Sequence, residues 1–127
     1  MIRQIDQIGW QATSSVGAIA AGGAGAVDAG MQMLENGGNA ADAAAATLLA
    51  LQVTDHIACC IGGEVPLLIY DAARKKVKSL SGMGRAPLAP EAINWYMAHG
   101  IPGPGNMRMA PAPSVVDLCI TTMQQYG

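Results

Sequence analysis

The fold of this chain is decided by residues 21–54, which read AGGAGAVDAGMQMLENGGNAADAAAATLLALQVT. The first part of this stretch has apolar residues at the i, i+4 and i+7 positions of one helix face, namely Val27, Met31 and Leu34. This spacing predicts a helix over residues 24–36. Gly37 and Gly38 then end the helix, because glycine accepts the left-handed conformation found at helix C-termini.

The second part of the stretch predicts a helix over residues 40–53 that has no polar face. Asn39 precedes this helix and is suited to cap it, because its side-chain oxygen can accept a free backbone N–H of the first turn. A helix that is apolar on every side is expected to be buried on every side. We therefore expect residues 40–53 to form the central helix of a larger structure.

Three further segments have the composition of short strands. Residues 16–21 are apolar and precede the first helix. Residues 66–71 and 77–81 flank a polar turn, which is the pattern of a β-hairpin. The basic run at residues 74–76 falls in this turn, and we interpret it as a solvated hairpin tip.

The remaining elements are helical. Residues 90–99 predict a helix with proline in its first turn, where proline is tolerated, and Gly100 ends it. The stretch 101–112 is rich in glycine and proline, which predicts a loop. Ser114 is expected to cap a last helix, with Asp117 completing a capping box. The core candidates on that helix are Val115, Leu118 and Met123.

Composition excludes several classes of protein. The chain has 127 residues and is 51% hydrophobic, so it is too apolar for a disordered protein and long enough for a buried core. Its net charge is −2 and its basic residues are dispersed, so no nucleic-acid partner is expected. No apolar run reaches the length of a membrane span, and no membrane association is expected. Residues 1–10 lack the hydrophobic region of a signal peptide, which favours a cytoplasmic location.

The three cysteines do not form a metal-binding or redox motif. Cys59 and Cys60 are adjacent, Cys119 is distant, and no CxxC spacing occurs. Zinc ligation and thioredoxin-like chemistry are therefore not expected. We interpret the cysteines as buried free thiols.

An ordered set of short motifs resembles one enzyme family. The set consists of the hinge GGNAADA at 37–43, the turn IGG at 61–63, the strand LLIYD at 67–71, the segment RAP at 85–87, and APSVV at 112–116 with the closing YG at 126–127. Together these motifs resemble the start of the large subunit in the γ-glutamyltranspeptidase family. The resemblance covers residues 16–127.

The resemblance implies both a fold and an enzyme class. The expected fold is α/β, the four-layer αββα sandwich of the N-terminal nucleophile hydrolases. Residues 1–127 would form only the N-terminal portion of the large subunit and not an independent domain. The implied activity is hydrolysis of a small amide by an autoprocessed hetero-oligomer, with acyl transfer to other amines. This chemistry requires no metal and no organic cofactor.

The catalytic nucleophile is not expected in this chain. In the family it is a threonine that becomes the N-terminus of the small subunit, so that its own α-amine acts as the base. No threonine here stands at a chain start, and the candidates examined are Thr13, Thr47, Thr54, Thr121 and Thr122. The resemblance therefore implies a partner chain that begins with threonine, and no catalytic residue in this one.

The segment before Ala86 and Pro87 departs from the family pattern. In the family, an arginine three positions before this Ala-Pro pair binds the α-carboxylate of the γ-glutamyl group, and Met83 stands there. Arg85 lies two residues later, which keeps the same face of an extended segment but moves the guanidinium by about 6.5 Å. Methionine cannot provide the two parallel hydrogen bonds with which arginine holds a carboxylate. We therefore expect an acyl group other than γ-glutamyl, as in the oxamate amidohydrolases or the cephalosporin acylases.

Other residues are candidates for the substrate pocket. Gly62 and Gly63 permit close backbone approach, and in the family such glycines lie near the catalytic centre. Glu64 either lines the same pocket or is a plain surface acid. Arg85 either binds substrate or serves as an ion pair or backbone clamp.

The sequence also allows other interpretations of what the chain does. The chain could belong to a true γ-glutamyltransferase or glutathione hydrolase, or to a non-catalytic scaffold subunit of the same fold. Gly23 and Gly25 imitate a dinucleotide-binding turn, but Asp28 stands in place of the third glycine and no parallel strand is expected next. Asp55 and His56 are interpreted as structural or surface residues and not as an acid–base pair.

Overall fold

A computed structural model describes residues 14–15 and 17–127 of the chain. Within them, four helices and two strands follow in the order α1 (Ala24–Glu35), α2 (Ala40–Thr54), β1 (Val65–Asp71), β2 (Lys76–Gly82), α3 (Pro90–His99) and α4 (Val115–Tyr126). Each lies within a residue of its expected bounds. A short 3-10 turn, Met107–Met109, was not expected and lies in the loop between α3 and α4.

None of the helices in these described ranges combines the length and the hydropathy needed to cross a membrane. The expectation about a signal peptide concerns residues 1–10, which lie outside the described residues.

α1 and α2 form a helical hairpin that packs through small residues. Gly37, at φ 88°, takes the left-handed conformation that ends α1. Ala26 and Gly30 are the buried residues of α1. A Cβ added to Gly30 would lie 3.2 Å from the Ala43 carbonyl oxygen, so the two backbones approach closely there. The apolar residues that share one face of α1 are half-buried, namely Val27, Met31 and Leu34.

A capping box begins α2 and also ties this helix to α4. The Asn39 side chain accepts the Ala41 and Asp42 N–H groups at 2.7 and 3.3 Å, which confirms its expected role. The Asp42 carboxylate accepts the Asn39 N–H at 3.0 Å in return. The Asn39 amide also donates to the Tyr126 carbonyl at 2.6 Å. The start of α2 therefore meets the end of α4, and the two helices run antiparallel.

The core lies between α2 and α4. Ala45, Val115 and Cys119 have no exposed surface and pack together. Leu48 and Val65 are half-buried against this cluster. The buried side chains are small, so the stability of this core rests on close approach of the helices more than on large apolar groups.

Two of the three core candidates on α4 are confirmed. Val115 and Leu118 are at most 4% exposed. Met123 is 38% exposed, and its assignment to the core is wrong for the described residues. Met123 follows Leu118 by five residues, which rotates it about 140° around the helix and away from that side chain.

The expected capping box of α4 is wrong. Ser114 occupies the cap position, but its side chain makes no capping hydrogen bond to the first turn. Its hydroxyl donates instead to the Gly82 carbonyl at 2.5 Å. A Cβ on Gly82 would lie 2.7 Å from the Leu118 side chain, so the end of β2 packs directly on the first turns of α4. This tertiary contact takes the serine away from the helix.

The β1–β2 hairpin is antiparallel and regular along its whole length. Asp71 closes its turn, because the carboxylate accepts the Arg74 N–H at 3.0 Å and the Arg74 guanidinium at 2.6 Å. The guanidinium hydrogen bond holds the pKa of the Asp71 carboxyl below its usual range. Lys75 has a positive φ of 51° at the tip. The basic run is an exposed turn, as expected.

α2 is not buried on every side within the described residues, so that expectation is wrong for this part of the chain. One side of α2 faces an apolar groove of about 620 Å³, which we call the α2 groove. Ala44, Leu48 and Leu51 line it from α2, while residues 17–21 and the first residues of β1 form its other walls. Val53, near the end of α2, is 79% exposed.

Residues 17–21 are not in a strand, although a strand was expected over residues 16–21. The sheet formed by the described residues contains only β1 and β2. A strand requires a neighbouring edge that accepts its N–H and C=O groups, and β1 lies on another wall of the α2 groove. The strand expectation is therefore wrong for residues 17–21, and residue 16 lies outside the described residues.

Candidate functional site

The residues expected to form the substrate pocket lie in two segments, 62–64 and 83–85, and both segments contact residues 111–112. A Cβ added to Gly62 would lie 3.8 Å from Pro111 Cγ. A Cβ added to Gly84, between Met83 and Arg85, would lie 2.8 Å from the Ala112 nitrogen. The glycine turn and the segment before Ala86 therefore both pack on residues 111–112, just ahead of α4.

Gly63 closes a tight turn in front of β1. Its N–H donates to the Cys60 carbonyl at 2.7 Å. A Cβ at this position would lie 2.9 Å from the same carbonyl oxygen, a distance that real Cβ atoms do not reach. The turn therefore needs glycine for close backbone approach, which was the physical reason for selecting Gly62 and Gly63 from the sequence.

The three candidate side chains at this place are exposed. Met83 is 48% exposed, and its N–H lies 3.4 Å from the Ser81 hydroxyl oxygen. Glu64 and Arg85 are exposed, and neither forms an ion pair within the described residues, where Arg74–Asp71 is the ion pair present. Arg85 is thus not an ion-pair clamp in this part of the protein, and its guanidinium is available to an acidic ligand.

Three of the four threonines among the described residues have hydroxyls that are buried or bonded within a helix. Thr47 and Thr122 are buried, and their hydroxyl oxygens have no hydrogen-bond partner. The Thr54 hydroxyl donates to the Ala50 carbonyl within α2. These three hydroxyls are therefore either buried or engaged by the backbone of their own helix. Thr13 lies outside the described residues.

Asp55 and His56 do not form an acid–base pair in the described residues. The Asp55 carboxylate lies against Gly22, where a Cβ would meet Asp55 Oδ2 at 2.5 Å. His56 is exposed, and no hydrogen bond joins the two side chains. These positions agree with their interpretation as structural or surface residues, which stays a prediction.

The cysteines are free thiols in three different environments. Cys119 is buried, and burial, with a further contribution from Cys59, raises the pKa of its thiol. Cys59 is half-buried and accepts a hydrogen bond from the Gln52 amide at 3.1 Å. Cys60 is exposed, so the expectation that all three are buried is wrong for Cys60.

A contact between the loop that joins α3 to α4 and α3 itself was not expected from the sequence. The Arg108 guanidinium lies 4.1 Å from the centre of the Trp95 ring, at the edge of a second pocket. The two residues are thirteen positions apart across a loop, and their pairing depends on the unexpected 3-10 turn Met107–Met109. Neither residue carries a spacing motif, so the sequence held no signal for this contact.

Comparisons with known proteins agree on one class. The chain matches the gamma-glutamyltranspeptidase family over residues 26–127. The gamma-glutamyltranspeptidase of Helicobacter pylori has a TM-score of 0.72 at 26% identity, over 92% of this chain and 34% of that one. The gamma-glutamyltranspeptidase of Pseudomonas nitroreducens complexed with L-DON has a TM-score of 0.71 at 29% identity, over 91% of this chain and 35% of that one. The glutathione hydrolase proenzyme of Bacillus subtilis subsp. natto is 38% identical over 71 residues, which is 56% of this chain and 12% of that protein.

The described elements therefore form the N-terminal part of an N-terminal nucleophile hydrolase fold. This chain belongs to the gamma-glutamyltranspeptidase family. It spans about a third of the length of the solved relatives and about an eighth of the curated one. The family and fold expected from the sequence are confirmed.

Proposed function

We propose that residues 1–127 are the N-terminal part of the large subunit of an autoprocessed amide hydrolase and acyltransferase, whose threonine nucleophile lies on another chain. Membership of the gamma-glutamyltranspeptidase family supports the reaction class. The placement of Thr47, Thr54 and Thr122 supports a nucleophile elsewhere, because their hydroxyls are buried or bonded within a helix.

The α2 groove is the main structural support for a partner polypeptide. Its walls are α2, residues 17–21 and the start of β1, and its lining is mainly apolar. Leu48 and Leu51 are left half-buried there. Apolar surface of this extent is unfavourable in water, so further polypeptide is expected to fill the groove. We expect residues 1–127 alone to aggregate or to bind a hydrophobic dye.

The partner proposal is tested on the purified, assembled protein. We expect N-terminal sequencing to find a second polypeptide that begins with threonine. Residues 1–127 expressed alone should show no amide hydrolysis. A homogeneous preparation of residues 1–127 that unfolds cooperatively and hydrolyses amides without a partner would contradict both parts of the proposal.

We further propose that the acyl group is not γ-glutamyl. Met83 stands where the family's arginine is expected, and a thioether cannot pair with a carboxylate. A buried carboxylate without a charged partner costs several kcal/mol. Each 1.4 kcal/mol changes a rate about tenfold, so the loss for a γ-glutamyl substrate should be large.

True γ-glutamyl transfer is the second candidate, and one observation favours it. Arg85 is exposed, lies beside Met83, and forms no ion pair in the described residues. Its guanidinium could therefore take over the carboxylate. The assembled enzyme should be assayed on a γ-glutamyl anilide beside a panel of short-chain amides. Efficient turnover of the γ-glutamyl compound would show that Met83 does not exclude it.

The role of Arg85 is tested by substitution. If Arg85 binds an acidic group of the true substrate, Arg85→Ala should lower kcat/KM by roughly a hundredfold, because a charge-assisted bidentate contact is lost. Arg74→Ala is the matched control, since Arg74 already pairs with Asp71 on the hairpin tip. Unchanged kcat/KM in the folded Arg85→Ala enzyme would show that Arg85 does not bind the substrate.

A further inference from the structure

The second pocket lies next to the Arg85–Pro87 segment and is used by no part of the function proposed above. It measures about 500 Å³ and lies between α3 and the 3-10 turn Met107–Met109. Pro87 and two alanines give it apolar walls, while Glu91 and Arg108 bring charge. A concave site of this size with apolar walls and few polar groups has the dimensions of a small-molecule pocket.

Arg108 is held at the rim of this pocket by several contacts. The Tyr96 hydroxyl donates to the Arg108 carbonyl at 2.6 Å, and the Arg108 N–H donates to the Asn106 side chain at 3.0 Å. The guanidinium lies 4.1 Å from the Trp95 ring centre. Trp95 is itself stacked on His99 at 4.7 Å with an interplanar angle of 14°. Both the backbone and the side chain of Arg108 are therefore oriented before any ligand arrives.

The arginine is positioned but unpaired within the described residues. A cation–π contact with an aromatic ring is not a hydrogen bond, so the N–H groups of the guanidinium remain free to donate. Glu91 lines the same pocket, yet it forms no ion pair with Arg108, and the ion pair among residues 14–15 and 17–127 is Arg74–Asp71. The Arg108 guanidinium is therefore oriented and is free to pair with the acidic group of a ligand.

We propose that this pocket binds a small carboxylic acid with a short apolar body. The carboxylate accepts two parallel hydrogen bonds from the edge of Arg108, and the apolar part lies against Pro87, Ala89 and Ala92. Glu91 sets the limit on affinity, because a second negative charge in the same pocket repels the ligand. The proposal does not depend on which acyl group the enzyme transfers.

Calorimetric titration of the assembled protein tests this site without any measurement of turnover. The probe is valerate, with valeramide and pentylamine as matched neutral and cationic compounds. We expect saturable binding of valerate and at least about tenfold weaker binding of the other two, since hydrogen bonds to a charged group are the stronger ones. Equal binding of valerate and valeramide would overturn the proposal.

Three variants locate the binding. Arg108→Gln should weaken valerate at least about tenfold, and Arg108→Lys should weaken it less, because the charge remains while the planar fork is lost. Arg74→Gln is the matched control and should leave the affinity unchanged, since Arg74 lies on the hairpin tip and pairs with Asp71. If Arg74→Gln weakens valerate as much as Arg108→Gln does, binding is general surface attraction and the proposal fails.

Glu91→Gln provides a test of opposite sign. Removing a neighbouring like charge at an exposed site should tighten valerate by roughly two- to fivefold. A merely structural role for this side chain would leave the affinity unchanged or lower it. Should Arg108→Gln fail to fold, Glu91→Gln and Arg108→Lys decide the question, and the absence of any shift in both would overturn the site.

Discussion

The packed region, which comprises α1, α2, α4 and the hairpin, differs from the distal segment, residues 83–112, in the source of its order. Every buried apolar residue of the described chain lies in the packed region, and these are Ala26, Ala41, Ala43, Ala45, Val115, Leu118 and Cys119. The distal segment has no buried residue, and α3 buries none of its ten. Burial of apolar surface therefore stabilises one region and contributes little to the other.

The distal segment is ordered by contacts among its own residues. Trp95 stacks on His99 one turn later, and the Tyr96 hydroxyl reaches Arg108 across the loop. Gly84 and Ala112 bring its two ends together through backbone contact. Segments with few buried contacts have the lowest local stability, and ligand-binding elements are often drawn from them. The two arginines proposed to bind ligands, Arg85 and Arg108, both lie in the distal segment.

The largest expected difference between the regions comes from matched truncations. Leu118 is 4% exposed on α4, whereas Ile93 is 45% exposed on α3. Leu118→Ala should lower the free energy of unfolding by about 3 kcal/mol through lost burial and a cavity. Ile93→Ala should lower it by less than about 1 kcal/mol, because much of that side chain is already in water. Denaturant unfolding of the assembled protein measures both.

The same experiment can contradict the contrast in burial between the packed region and the distal segment. A loss at Ile93→Ala as large as that at Leu118→Ala would mean that α3 is covered by polypeptide beyond residues 1–127. The contrast between the regions would then belong to this part of the chain and not to the assembled enzyme. Small and equal losses of unfolding free energy at both positions would instead show that Leu118 contributes little to the core.

Sequence reasoning succeeded where a pattern is local. The bounds of α2 and α3 follow from Asn39, Pro90 and Gly100, whose preferences depend on neighbouring residues alone, and the structure places those helices there. The glycine turn before β1 was selected for close backbone approach, and Gly63 shows that approach to Cys60. Such features need no knowledge of the rest of the molecule.

Sequence reasoning failed where the outcome depends on a distant segment. Ser114 has the identity of a capping residue, but β2 approaches α4 and the hydroxyl bonds to Gly82, thirty-two residues away. Residues 17–21 have strand composition, but they pair with no strand among the described residues. The contact between the Arg108 guanidinium and the Trp95 ring depends on how the loop folds back on α3. No local pattern encodes these contacts, because each requires the position of two elements at once.

A smaller effect, of opposite sign in the two regions, is expected at the helix caps. Asn39 caps α2 and also donates to the Tyr126 carbonyl. Asn39→Ala should lower the free energy of unfolding by about 1–2 kcal/mol, because a cap and a bond between helices are lost together. The cap position of α3 is Ala89, which has no side-chain oxygen. Ala89→Ser should raise the stability by about 0.5 kcal/mol by supplying one.

Hydrogen exchange resolves the two cap effects by region. Asn39→Ala should accelerate exchange along α2 and at the end of α4, while Ala89→Ser should slow exchange only in the first turns of α3. If Asn39→Ala affects α2 alone, the bond to Tyr126 contributes nothing to the contact between the helices. If Ala89→Ser slows exchange in α2 as well, the distal segment is coupled to the packed region more strongly than its contacts indicate.

The smallest expected effect is a pH dependence at the hairpin tip. The Asp71 carboxyl has a lowered pKa because it accepts the Arg74 guanidinium and the Arg74 N–H. A group whose pKa is lower in the folded state stabilises the fold above its unfolded pKa of about 4, and this stabilisation is lost as the pH falls through the folded value. The hairpin should therefore open more readily below about pH 4 than at pH 7. The effect is small because Arg74 is 69% exposed and water screens the pair.

Asp71→Asn removes the titrating group while it keeps an acceptor for the Arg74 N–H. We expect slightly faster exchange of the β1 and β2 amides at pH 7 and no further acceleration, after correction for intrinsic rates, as the pH is lowered. Asp28→Asn, in an exposed carboxylate of α1, is the matched control and should leave the hairpin unchanged. An acid-dependent opening that persists in Asp71→Asn would assign the titration to another group. Opening that spreads from the hairpin to the Ser114–Gly82 contact would show that the tip and α4 unfold together, because β2 runs from the tip to Gly82, whose carbonyl accepts the Ser114 hydroxyl.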